Sequence, residues 1–312
     1  MKPAWSVILL SVFAGAAQGL VALLALATLA GTARVDVDTD RALLVAALLL
    51  VAALVASFFH LGRPERAWRA AAMWRTSWLS REVIALPAFI AIVAAWWWGR
   101  RSGVAPAWTE VAAPLFALAG AAALWWCTAM IYACLRFVEE WAQPLTLVSF
   151  VLVGLSSGFV LGCALIAATA GPAGPALAVQ LAAVGLCVAA GVARAAAIAR
   201  NARLRHRSTL QSATGIASAN LRQISMGMSA GSFNTREFFH RATRAALRRV
   251  RWAAIGLGFV APGAIGLVAI AAHAPSLWWL ALVVQAVGLL ADRWLFFAQA
   301  KHPQNLYYQV VS

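Results

Sequence analysis

AWSVILLSVFAGAAQGLVALLALATLA, residues 4–30, contains no charged side chain and exceeds the about 20 apolar residues that a helix needs to cross a bilayer. Seven further stretches of the same character follow at 42–61, 83–99, 111–135, 145–170, 175–193, 252–272 and 276–291. A β-barrel would instead show short segments of alternating polarity. We read an all-α integral membrane protein with eight transmembrane helices, arranged as two four-helix bundles within one membrane domain, 1–312. The first span follows Lys2 and mimics a signal sequence. It is too long for a signal core, and 31–34 is a poor cleavage site, so it is read as retained.

Composition demands the same solvent. With 63% hydrophobic residues, 11% charged and a mean hydropathy of +0.81, the chain cannot hide its apolar surface in one soluble core. Trp96, Trp97, Trp98, Trp278 and Trp279 stand near span ends, where an indole buries its ring and keeps its N–H at the interface.

Eight spans put both termini and the connections after spans two, four and six on one face. That face holds 21 of the 25 Lys and Arg and six of the ten acidic residues, so it carries the whole net charge of +15. The opposite face balances Arg34, Arg41, Arg100 and Arg101 against Asp36, Asp38, Asp40 and Glu110. The bias of Lys and Arg toward the inside places the basic face in the cytoplasm of a bacterial inner membrane. The basic pI thus reports topology, and nucleic acid is not expected as a partner.

Cys127, Cys134, Cys163 and Cys187 lie within spans, without a CxxC pair or an adjacent histidine, so neither an iron–sulfur cluster nor a zinc site is expected. A bis-histidine haem needs two facing histidines inside the bundle, and only His60 approaches a span on that face. We therefore expect no haem, no cluster and no metal in this chain. The glycine-containing run 227–231 lacks the lysine and the strand of a phosphate loop.

Two segments depart from plain membrane sequence. Residues 194–251 hold twelve arginines around a Ser/Thr/Gly-rich middle, which suits either anionic lipid or the docking of an acidic soluble protein. Within it, Asn234 and Glu237 have capping-box spacing, which predicts a helix from about Thr235 running to the seventh span.

The second is SFFHLGRPERAWRAAAMWRTSWLSRE, 57–82, whose polar connection, 62–80, ties the second span to the third. His60 ends one span and Glu82 opens the next, so the turn can bring them together at the hydrocarbon edge. A carboxylate in a first helical turn also has a plain explanation in the helix dipole. A titratable pair beside an apolar channel, without a cofactor in the same chain, suits the two-electron, two-proton chemistry of a quinone. Arg63, Arg66 and Arg69 would hold the connection or meet the partner that exchanges electrons. Arg63 precedes Pro64, which biases it away from helix.

HLGRPERAWRA at 60–70 and RTSWLSRE at 75–82, with SMGMSAGSFNTREFFH at 225–240 and MIYACLRF at 130–137, resemble the membrane-anchor subunit of dimethyl sulfoxide reductase, which is related to the polysulfide reductase type of quinone-reactive anchor. The resemblance covers nearly the whole chain. It implies electron exchange between menaquinone or ubiquinone and an iron–sulfur subunit that serves a molybdopterin catalytic subunit. It also implies that His60 and Glu82 form the quinol site, with Gly62 and Arg66 beside it, and it favours docking for 194–251. Tyr132, in the fourth span near the basic face, is a further candidate partner for a ring oxygen. Many catalytic partners of such anchors carry an export signal, which sets the resemblance against the charge count over which compartment the soluble subunits face. A purely structural tether would tolerate loss of His60 and Glu82. A transporter would need broken helices or a charged midplane site, for which Pro87, Pro114 and Gln180 are thin support.

Overall fold

The computed structural model describes residues 2–31, 38–59, 61–169, 174–225, 239–240 and 242–308. His60 and most of the 225–240 motif, Asn234, Thr235 and Glu237 included, lie outside the described residues. Among those described, eight helices are long and apolar enough to span a membrane: α1 (Trp5–Leu29), α2 (Thr39–Phe58), α3 (Trp78–Arg101), α4 (Ala107–Ala133), α5 (Pro144–Thr169), α6 (Leu177–Ala202), α7 (Arg244–Ala271) and α8 (Leu277–Ala298).

Several helices run past the apolar stretches, chiefly at the basic face. The helix that enters the seventh span begins at Arg244, capped by the Thr243 side chain, which accepts from the Ala246 N–H at 3.1 Å. His240, Ala242 and Thr243 are not helical, so a helix continuous from Thr235 does not form. A hydroxyl at this position satisfies an N–H that the first turn leaves free.

α4 and α7 each contain a wide π-helical turn, at Ala107–Ala112 and Gly256–Val260. Each lies just before a proline, Pro114 or Pro262, which lacks a donor and clashes with the carbonyl four residues back. A neighbouring helix captures a carbonyl in each turn. Trp96 of α3 donates its indole N–H to the Thr109 carbonyl at 2.9 Å, and Gln285 of α8 donates Nε2 to the Gly258 carbonyl at 3.4 Å.

Helices α1–α4 enclose one core, with Leu20, Leu43, Leu50, Phe89, Trp96 and Leu124 buried in it. Helices α5–α8 enclose a second around Val160, Cys163, Ala183, Cys187 and Trp278. The two bundles meet along α1 and α5, where Gly15 and Gly19 face Gly154 and Gly158, and Gly162 faces Leu23. A Cβ added to Gly158 would lie 2.1 Å from both the Gly19 carbonyl carbon and the Leu20 nitrogen. α7 and α8 cross as closely, since a Cβ on Gly288 would lie 2.0 Å from the Gly258 nitrogen. Lipid tails remove the hydrophobic drive between helices, so close backbone approach and van der Waals contact must supply it.

Charge enters the second bundle as well. Arg194 of α6 lies 2.6 Å from the Asp292 carboxylate of α8, and Arg293 lies 3.4 Å from its second oxygen. All three are at most 4% exposed. The Arg293 guanidinium sits 4.4 Å above the Phe150 ring, a cation–π contact. Charge counting assigns these residues to the exposed basic face; the structure buries them, because mutual neutralisation lets α6 and α8 continue beyond Ala193 and Ala291.

The two faces cohere through their own contacts. On the basic face Glu139 accepts from the Arg207 N–H at 2.8 Å, and Tyr307 of the C-terminal tail donates to the Ala213 carbonyl at 2.8 Å. On the other, Arg100 joins Asp40 at 2.8 Å and Glu110 at 3.1 Å.

Gly158→Ala should destabilise the protein by about 1–3 kcal/mol through overpacking, whereas Gly185→Ala, with open space around its Cβ, should be neutral or slightly stabilising; thermal unfolding in detergent distinguishes them. Asp292→Leu, which strands two buried arginines, should cost about 3–5 kcal/mol in the same assay.

Candidate functional site

The connection from α2 to α3 is compact. α2 ends at Phe58, and Arg63 adopts an extended backbone (φ −143°, ψ 83°), as expected before proline. Pro64 then opens a 3-10 helix, Pro64–Ala71. Ala67 and Ala70 face a cavity below it, while Arg63, Arg66 and Arg69 are exposed. Trp68, Met73 and Trp74 are exposed too, which suits a segment lying at the hydrocarbon edge.

Arg81 fastens the turn to α3. Its guanidinium donates to the carbonyls of Trp74 and Arg75, each at 2.9 Å, and stacks 4.1 Å from the Trp78 ring. Ser77 caps the helix by accepting from the Ser80 N–H. With position 81 held on the outside, position 82 falls on the inner face. Glu82 is 9% exposed and accepts a short hydrogen bond from the Thr128 hydroxyl of α4.

Two cavities meet at this carboxylate. The outer one, of about 110 Å³, lies between the ends of α2 and α3 and is lined by Leu10, Leu54, Ser57, Phe58, Leu61, Ala67, Ala70, Leu79, Val83 and Leu86. Glu82 is the one ionisable side chain among its described lining residues. The inner cavity, of about 30 Å³, lies at the seam of the bundles; Gln18, Thr128, Tyr132, Ser157 and Arg293 line it with Glu82. A space of this size holds about one water. An apolar chamber closed by one carboxyl can seat a flat, hydrophobic molecule and exchange a proton with it.

The residues singled out from sequence separate in the fold. Glu82 stands in the wall of both cavities. His60 lies outside the described residues; Leu61 after it and Phe58 two residues before it line the outer cavity, whereas Phe59 is exposed. Gly62, Arg63 and Arg66 are exposed and line neither; Arg66 lies 4.0 Å from Glu65. Tyr132 belongs to the inner cavity, stacked on Phe150 (centroids 5.8 Å apart) and edge-on to Trp141, Phe296 and Phe297. Thr128, Gln18 and Arg293 escape a sequence reading. The first two carry no local signal, whereas Asp292-Arg293 set between apolar runs was a usable hint of compensated burial.

The basic segment presents Arg203, Arg205, Arg207, Arg222, Arg244, Arg248, Arg249 and Arg251 to solvent. Partial burial holds His240 and His302 below the ordinary imidazole range, so neither adds to this positive surface at neutral pH.

Residues 1–229 match the family described as the DMSO reductase anchor subunit, DmsC. The chain is also 45% identical, over 337 aligned positions covering 100% of both chains, to the C subunit of the sulfite dehydrogenase from Allochromatium vinosum.

Proposed function

This chain belongs to the DMSO reductase anchor subunit family, and we propose that it is a quinone-reactive membrane anchor of a molybdopterin oxidoreductase. It exchanges electrons between menaquinone or ubiquinone and an iron–sulfur subunit bound at the basic face. One observation carries the reading: a buried carboxylate, Glu82, closes an otherwise apolar cavity that sits between two spanning helices at the membrane edge. α3 begins at Trp78 with no acidic residue in its first turn, so the helix dipole that a mere tether would share does not account for Glu82.

The roles follow from position. The outer cavity takes the quinone ring, with its isoprenoid tail in lipid. Glu82 exchanges a proton with one ring oxygen, and His60 serves the other. Thr128 orients the carboxyl. Arg63, Arg66 and Arg69, on the outer surface of the connection, face the soluble partner, and the exposed arginines of 194–251 extend that dock. Tyr132 acts behind Glu82 rather than on the quinone. The basic face is cytoplasmic in a bacterial inner membrane, in keeping with its charge.

The name of the Allochromatium relative suggests the electron source. We propose sulfite, oxidised with water to sulfate in the catalytic subunit, its two electrons and two protons reducing quinone to quinol.

Membranes carrying the complex should quench the fluorescence of a hydroxyquinoline N-oxide quinol analogue, and His60→Arg or Glu82→Gln should abolish quenching and sulfite-driven quinone reduction. Sulfite oxidation with an artificial soluble acceptor should persist. Quenching absent from the wild type would reduce the chain to a tether; quenching without sulfite turnover would overturn the substrate alone. Neutralising Arg244, Arg248 and Arg249 together should weaken retention of the soluble subunits in high-salt washes, and unchanged retention would remove this surface from the dock.

A further inference from the structure

We propose that Ser57 lets the outer cavity tell quinol from quinone: its hydroxyl accepts a hydrogen bond from a quinol O–H but has no free proton to give a quinone carbonyl. The inference rests on the quinone reading of the outer cavity and adds a specificity-determining residue from the α2 wall.

Ser57 and Glu82 are the polar side chains among the described residues that line the outer cavity. Leu54, Ser57 and Phe58 share that wall at positions i, i+3 and i+4, so they form one face of α2, and the Ser57 side chain stands on the face turned to the cavity. Ala53 and Ala56 of the same helix turn into the protein and are buried. The Ser57 hydroxyl donates to the Leu54 carbonyl at 2.6 Å. A carbonyl oxygen cannot donate, so the direction of this bond is fixed and the hydroxyl proton is already committed within the helix. The lone pairs of the hydroxyl remain. What Ser57 offers the cavity is therefore an acceptor.

A quinone and its quinol differ at this point. The ring oxygens of the quinone only accept hydrogen bonds, whereas those of the quinol also donate. When the ring takes up two electrons and two protons, each carbonyl becomes a hydroxyl whose proton needs an acceptor in an apolar chamber. Glu82 serves one oxygen. At the other, where His60 exchanges the proton, Ser57 accepts from the finished hydroxyl. To serve the quinone instead, Ser57 would have to give up its bond to Leu54, which offsets the bond it makes. The cavity thus holds the reduced form more tightly, and a net hydrogen bond of ordinary strength corresponds to about threefold to tenfold in affinity.

Displacement of the hydroxyquinoline N-oxide from membranes carrying the complex, by a short-tailed quinol and by the same compound oxidised, tests this, with the affinity of the N-oxide itself measured in each variant. The wild type should bind the quinol more tightly than the quinone. Ser57→Ala, which favours helix and so should assemble, should weaken the quinol about threefold to tenfold and the quinone less than about twofold. Ser57→Thr, which keeps a hydroxyl able to bond the same turn of backbone, should retain the preference. Equal loss for both forms in Ser57→Ala, or no change in either, overturns the proposal. Where quenching is present and Glu82→Gln abolishes it, that result removes Ser57 alone; quenching absent from the wild type removes the quinone reading and this inference with it.

Discussion

Backbone contact between α1 and α5 sets the geometry of this protein. Gly19 and Gly158 bring the two helix axes so near that neither position has room for a methyl group. In lipid, apolar side chains gain little by leaving one hydrocarbon for another, so helices are held by contact area and by polar pairs. The glycine seam gives that contact and makes the N-terminal helix of one bundle the support of the other. Gly154 and Ser157, on α5 beside the seam, also line the inner cavity. The position of the cavity therefore follows from the same close approach.

Several polar groups within the membrane are matched by a partner from another helix. Glu82 meets Thr128, Arg194 meets Asp292, Gln18 donates to the Ala121 carbonyl, and Gln285 meets Ser156. An unpaired polar group costs more here than in a soluble core, because no water competes to satisfy it. Thr28, Trp125, Ser149, Gln285, Asp292 and Arg293 each keep a buried polar atom without a hydrogen-bond partner, and Trp125 and Arg293 line the inner cavity.

The architecture separates tasks by depth and by face. One face neutralises itself through Arg100 with Asp40 and Glu110 and needs no partner. The other presents exposed arginines from 194–251 and from the 62–80 connection.

Eight spans, their alternation and the single basic face were legible in the sequence alone, because hydropathy and charge are properties of one segment facing lipid or water. The second-to-third junction also stands out in the sequence, since a dense polar cluster between two apolar runs is conspicuous without a structure. Pairing was not legible. Nothing local to Glu82 announces Thr128, and nothing local to Arg194 announces an aspartate 98 positions later. The burial of Arg194, Asp292 and Arg293, the glycine seam and the two cavities depend on which helix faces which. That choice rests on shape and charge compensation between distant segments, and only the tertiary structure decides it.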